Sequence, residues 1–154
     1  MALDRMLQIV FFLSVTYTIA FASPAEDCGS EAGKFTKVSL SGCPDSAKEC
    51  VLKRGTNATL NIVFTTNATQ HNVTAYAYGD VEGYTEDIDL PHPDGCTKSG
   101  LTCPLQPGHV YHYYATLPVD KSYPAMSLTI QYELNNYAKS NSNIICLRMP
   151  VKLI

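Results

Sequence analysis

The stretch AMSLTIQYEL, Ala125 to Leu134, alternates strictly: Met126, Leu128, Ile130, Tyr132 and Leu134 are apolar or aromatic, while Ser127, Thr129, Gln131 and Glu133 are polar. A period of two puts every second side chain on one face of an extended chain, so this segment is read as a β-strand with one buried face. Other runs carry the same signature. Leu60, Ile62 and Phe64 alternate with Asn61, Val63 and Thr65, and Leu147, Met149, Val151 and Leu153 alternate with Arg148 and Lys152. Strands with one wet face belong to antiparallel sheets, and two such sheets stacked through their apolar rows enclose a core about 10 Å thick. With FTKVSL, VTAYAY and VYHYYATL, separated by Gly, Pro, Asn and Asp, these runs predict an all-β sandwich. Little helix is expected, because no segment sustains apolar residues at i, i+3, i+4 and i+7. What the inner face of AMSLTIQYEL packs against, a closed core or a carried molecule, is the functional question.

The first residues stand outside this pattern. Arg5 supplies a positive region, MLQIVFFLSV an apolar one, and Ala20-Phe21-Ala22 a small-x-small motif. That layout predicts a secretory signal peptide over residues 1–22, cut near Ala22 or Ser23. Ser14, Thr16 and Thr18 interrupt the apolar run, which argues against a transmembrane helix. Residues 23–154 are then one domain of roughly 130 residues, the size of a single core. All the cysteines, Cys28, Cys43, Cys50, Cys96, Cys103 and Cys146, lie in that domain, and an even count in an exported chain implies disulfides. Two local pairs stand out because each brackets a short turn-rich loop: Cys43 with Cys50 around PDSAKE, and Cys96 with Cys103 around TKSGLT. Cys28 and Cys146 would then join the start of the domain to its last strand. Zinc ligands come in closer pairs than these, so no metal site is expected. The sequons at Asn57, Asn67 and Asn72 agree with export and should face water if they carry glycans.

Catalytic motifs are missing. The chain has no G-x-S-x-G elbow, no H-E-x-x-H and no phosphate-cradling glycine loop. His71, His92, His109 and His112 have no ligand spacing; on one strand His109 and His112 would point to opposite faces. The segment GDVEGYTEDIDLPHPD, Gly79 to Asp94, is rich in acid, and its glycines and prolines are expected to forbid a long regular element. It is read as a loop, either a plain solvated connection or one at the mouth of a cavity, with Glu82, Glu86 and Asp87 around that mouth. Glycoside hydrolysis needs two carboxyls at a fixed separation, which a loose acidic loop does not supply. No enzyme activity and no cofactor are therefore expected. A net charge of −3 without a Lys/Arg cluster excludes a nucleic-acid partner, whose phosphates require a concentrated basic footprint.

Several blocks together resemble a known family. DCGS at 27–30, CP at 43–44, PDGC at 93–96, SGLTCPLQPG at 99–108, LPVDKSYPAMSL at 117–128 and CLRMPVKL at 146–153 are similar to the Niemann-Pick C type 2 branch of the lipid-recognition ML domain family. The resemblance covers nearly the whole chain after the leader. It implies an immunoglobulin-like two-sheet β-sandwich with a lipid pocket between the sheets and the disulfides Cys28–Cys146, Cys43–Cys50 and Cys96–Cys103. It carries the pocket wall onto Leu40, Leu52, Leu60 and Ala77, then Ile88, Leu117, Val119, Tyr123 and Pro124. The remainder of the implied wall is Met126, Leu128, Ile130, Tyr132, Leu147 and Met149, with Val119 and Tyr123 at the mouth.

The function implied is a secreted lipid-binding and transport protein for a sterol, a fatty acid or another small hydrophobic ligand. The alternative is an innate-immune accessory that presents a microbial lipid to a receptor; the lack of a basic rim for lipid phosphates weighs against it. A monomer is expected, extracellular or in the lysosomal lumen, with transient contact to a membrane or a membrane lipid transporter. Two departures from the sterol-transfer members matter. Asp80, Glu82, Glu86, Asp87 and Asp89 stand where those members have an apolar knob, with Ile88 in place of an aromatic; Tyr132 and Leu147 replace indoles. Acidic residues at a rim repel anionic membranes, which favours a soluble carrier over hand-off to a membrane partner.

Overall fold

The computed structural model describes residues 24–136 and 142–154, so the leader expected over residues 1–22 lies outside the described residues. The strands are β1 (Glu26–Asp27), β2 (Gly33–Leu40), β3 (Cys50–Leu52), β4 (Thr56–Thr66), β5 (Thr74–Val81), β6 (Tyr84–Asp87), β7 (Val110–Val119), β8 (Ser127–Asn135) and β9 (Asn143–Leu153). One sheet runs β1-β9-β8-β5-β6, with β3 parallel to β9, and the other runs β2-β4-β7. This is the all-β sandwich expected from the alternating runs, in the immunoglobulin-like two-sheet form that the family resemblance implied. The stretch that opened the reading is β8, the antiparallel neighbour of both β5 and β9.

Alternation decides what each strand buries. Ile130, Tyr132 and Leu134 of β8 lie beside Met149, Leu147 and Ile145 of β9, and all six are buried. From the other sheet Leu60, Ile62 and Phe64 face them, each with no exposed surface, next to Ala115, Tyr113 and Tyr111 of β7. Gly33 of β2 is packed closely by both sheets: a Cβ there would lie 2.7 Å from the Thr65 carbonyl oxygen of β4 and 2.8 Å from that of Ile144 on β9.

The acidic segment departs from expectation. Gly79 to Val81 continue β5, and Tyr84 to Asp87 return as β6, closing a hairpin over Glu82 and Gly83. Both turn residues have positive φ, 52° and 88°, the backbone of the two-residue turns that match strand twist. Asp80 Oδ1 accepts the Gly83 N–H at 3.0 Å and fixes the turn. Asn-Gly or Asp-Gly would have announced this hairpin; Glu-Gly does not, because glutamate rarely adopts positive φ. The very short β1 and β3 also had no legible pattern.

Three disulfides pair as implied: Cys28–Cys146, Cys43–Cys50 and Cys96–Cys103, with Cα separations of 5.0, 4.8 and 5.5 Å. These distances suit a disulfide without backbone movement.

Among the described residues, a tyrosine pair makes a polar contact across the core. The hydroxyls of Tyr113 (β7) and Tyr132 (β8) meet at 2.6 Å, fully enclosed, with ring centroids 6.1 Å apart. Changing either residue alone to Phe strands the other hydroxyl and is expected to cost about 1–3 kcal/mol, whereas the double change should restore much of that loss. Chemical denaturation of the three variants measures this coupling. Burial also pushes the Tyr113 hydroxyl up to about 12 from its usual 10.0, and burial, with Tyr113 beside it, pushes Tyr132 up as well. Below pH 10 the two states bind these protons equally; above it the unfolded chain releases them while the fold holds them. Stability should therefore fall as pH rises from about 10 to about 12; each single Phe variant removes one of the two groups and should lose part of this slope, and the double variant should lose it.

Candidate functional site

Toward one end of the sandwich the sheets part around a cavity of about 420 Å³. Its wall is built from Leu52 of β3, Gly79 and Val81 of β5, Leu117, Pro118 and Val119 of β7, Leu128 and Ile130 of β8, and Leu153 of β9. Glu86 and Asp87 of β6, with Ile88, complete one part of the rim; Tyr123, Pro124 and Met126 of the β7–β8 connection complete another. Gly79 contributes to the opening by having no side chain: on the inward row of β5, a Cβ there would press within 3.1 Å of Leu128 Cδ1 and 3.8 Å of Ile88 Cδ1, both wall residues.

The β7–β8 connection is held from two sides. Asp120 Oδ1 accepts the Ser122 N–H at 2.7 Å, a bond that holds this carboxyl below the usual range. Arg54, on the turn between β3 and β4, donates from Nη1 to the Tyr123 carbonyl at 2.8 Å and so anchors the rim. Nothing in the sequence pointed to Arg54, because its partner is a backbone oxygen 69 residues away.

Of the residues expected on the wall, the structure brings Leu52, Ile88, Leu117, Val119, Tyr123, Pro124, Met126, Leu128 and Ile130 together around the cavity. It does not bring Leu40, Leu60, Ala77, Tyr132, Leu147 and Met149 there. Those six are buried elsewhere in the core. Tyr132 borders a second void of about 50 Å³. Gly79, Val81, Leu153 and Pro118 were missed. The first three share the inward parity of their strands and could have been found from it; Pro118 has no such signal. Glu86 and Asp87 lie on the rim as the acidic-loop reading expected, but Glu82 sits on the hairpin turn and does not line the cavity. The sequon asparagines Asn57, Asn67 and Asn72 are all exposed, as are the four histidines.

Residues 22–153 match the family model of the ML domain. The chain belongs to the ML domain family. Within that family it is similar to NPC intracellular cholesterol transporter 2 homolog a of Drosophila melanogaster, at 39% identity over 88% of this chain and 91% of that protein. NPC intracellular cholesterol transporter 2 of Mus musculus is 37% identical over 92% of this chain and 97% of its own length. Among solved structures, the Niemann-Pick type C2 protein from Japanese carpenter ant superposes with a TM-score of 0.77 at 34% identity, covering 84% of this chain and 98% of that one. ML domain proteins are lipid-binding proteins rather than enzymes. In this ML domain the cavity accordingly needs no nucleophile or general base: what it offers is enclosed apolar surface and a rim with two carboxylates.

Proposed function

We propose that this ML domain is an exported carrier that binds a sterol, a fatty-acyl chain or a similar hydrophobic molecule between its two sheets. The observation that carries the reading is the cavity itself. Its volume of about 420 Å³ lies within the ~300–1,000 Å³ of small-molecule sites, and its wall is almost wholly aliphatic. The relatives named as cholesterol transporters support the same reading. Binding is apolar burial alone, at about 25 cal/mol for each Å² removed from water, and release reverses it without breaking a bond. Val119 and Tyr123 stand at the mouth, with Leu117, Leu128 and Ile130 along the wall. The leader and the exposed sequons support a secreted protein, extracellular or lysosomal, with glycans on Asn57, Asn67 and Asn72.

The test is titration with a fluorescent sterol, alongside organic extraction of the protein purified from secreting cells. Val119 is buried against the cavity, so Val119→Phe places a ring in empty space at modest cost to the fold. Probe affinity should fall about tenfold in this variant while the melting temperature changes by only a few degrees. Equal affinity in wild type and Val119→Phe, with no lipid in the extract, would remove the cavity as the binding site.

A further inference from the structure

We infer that the outer face of the larger sheet holds a second binding site, separate from the cavity, for a neutral, hydroxyl-rich ligand: a short hexose oligosaccharide. The outward residues of β5, β8 and β9 are the alternates of those that face the interior, so this face and the cavity share no side chain of these strands. One row of strand partners crosses it from β6 to β1 as Asp87, Tyr78, Gln131, Arg148 and Glu26. The next row is Thr85, Asp80, Thr129 and Pro150. Both rows contribute to a recess of about 340 Å³, lined by Glu26, Arg148, Asp80, Thr129 and Pro150 with Met149. That volume falls in the ~300–1,000 Å³ range of small-molecule sites.

The side chains around the recess are positioned without using up their hydrogen bonds. Arg148 Nε donates to Gln131 Oε1 at 2.8 Å, and Gln131 Nε2 donates to Glu133 Oε1 at 2.6 Å, so the guanidinium is tied to the sheet through one of its donors. Among the described residues its Nη groups have no further partner, although Glu26 is its neighbour on β1. Asp80 uses Oδ1 for the Gly83 N–H and keeps Oδ2. Donors and acceptors therefore lie apart around one recess, and a hydroxyl, which gives and accepts a hydrogen bond at once, serves either kind. Beside them on β5 stand Tyr76 and Tyr78, with ring planes 12° apart and centroids 6.5 Å apart. Tyrosine joins an apolar ring to a polar tip, a surface against which the C–H face of a pyranose packs while its hydroxyls reach the polar rows. Charge narrows the ligand class. Glu26, Asp80, Asp87 and Glu133 outnumber Arg148 and Lys152 on the outward positions, so a phosphate, a sulfate or a uronic acid meets net repulsion. A hydrocarbon would leave these polar groups buried and unpaired.

The experiment is calorimetric titration of the protein with tetrasaccharides of glucose, mannose, galactose and N-acetylglucosamine. A sulfated glucose tetrasaccharide and glycerophosphocholine serve as competing chemistries, and fluorescent-sterol binding is measured in parallel. At least one neutral tetrasaccharide should bind, and more tightly than either competitor. Tyr78→Ala and Arg148→Ala should each weaken it at least about tenfold, the effect of losing a ring contact or a charged donor. Thr129→Val, which keeps the strand preference and the shape while removing the hydroxyl, should weaken it by a smaller factor. Sterol affinity should stay within about twofold in all three variants, since the two sites do not share these side chains. Arg148 is exposed and Thr129→Val is nearly isosteric, so these two decide the matter even where Tyr78→Ala fails the circular dichroism check of folding. Absence of binding by every neutral tetrasaccharide would overturn the inference and leave the carrier reading, which the sterol tests separately, untouched. Tighter binding of the sulfated chain or of glycerophosphocholine would give the recess to another ligand class and overturn it too. Sugar binding that persists in Arg148→Ala and Thr129→Val would overturn the placement on this face.

Discussion

Replacing Cys28 and Cys146 together by serine is expected to destabilise the domain by about 2–5 kcal/mol, the range for removing a native disulfide from a small secreted domain. The bridge closes a sequence separation of 118, which in the chain-entropy description is worth about 5 kcal/mol; the Cys43–Cys50 bridge, at a separation of 7, is worth roughly 2.5. The native contacts around it do not disappear with the sulfurs. The Cys28 N–H donates to the Cys146 carbonyl at 3.0 Å, and the Cys146 N–H donates to Ser30 Oγ at 3.0 Å. The serine variant should therefore fold to the same sandwich and differ chiefly in how easily it unfolds. Denaturant titration reads the loss as a lower midpoint, with a steeper dependence as the unfolded chain expands. A loss below about 1 kcal/mol would mean that the other two bridges already confine the unfolded chain, and that the entropic account of this bridge is wrong.

Ile130→Glu should have the largest effect on binding. Ile130 is 6% exposed, lies on the cavity wall, and has Met149 and Gly79 as its lateral neighbours. None of these can satisfy a carboxylate. In the empty protein water in the cavity can hydrate the new charge, so the fold survives; a bound apolar molecule must strip that water away. Leaving a buried polar group unpaired costs on the order of 1–3 kcal/mol by mutational measure and more when it is charged. At 1.4 kcal/mol per factor of ten, sterol affinity should drop by at least about 100-fold at pH 7.5. Protonation removes the charge, so affinity should recover in part as pH falls through the glutamate's own titration. Ile130→Gln, which cannot ionise, should lose less and show no such recovery. Unchanged affinity in a folded Ile130→Glu would place the ligand away from this wall.

The sequence by itself determined the class of fold and the parity of its strands. In Ala125–Leu134 the alternation is a property of the extended backbone, which sends successive side chains to opposite faces whatever lies beyond them. It therefore sorted Ile130 and Tyr132 correctly to the inside, and the spacing of the cysteine blocks tied the chain to its family. Parity could not say which inward residue meets a partner and which meets space. Ile130 and Tyr132 are two positions apart on one strand, yet Tyr132 meets the Tyr113 hydroxyl at 2.6 Å and Ile130 borders about 420 Å³ of empty volume. The difference is decided by what other strands bring to the same depth: Tyr113 from the opposite sheet in one case, Gly79 from the neighbouring strand in the other. Leu40, Leu60, Ala77, Leu147 and Met149 carry the same local signal as Leu117 and Leu128, yet of these only Leu117 and Leu128 line that cavity. The acidic hairpin and the Arg54 anchor were likewise decided by tertiary structure, since one depends on a glutamate held at positive φ by its neighbours and the other on a backbone carbonyl far along the chain. Local geometry chooses the face of a side chain; free volume belongs to the pair of sheets, and it exists only once both are in place.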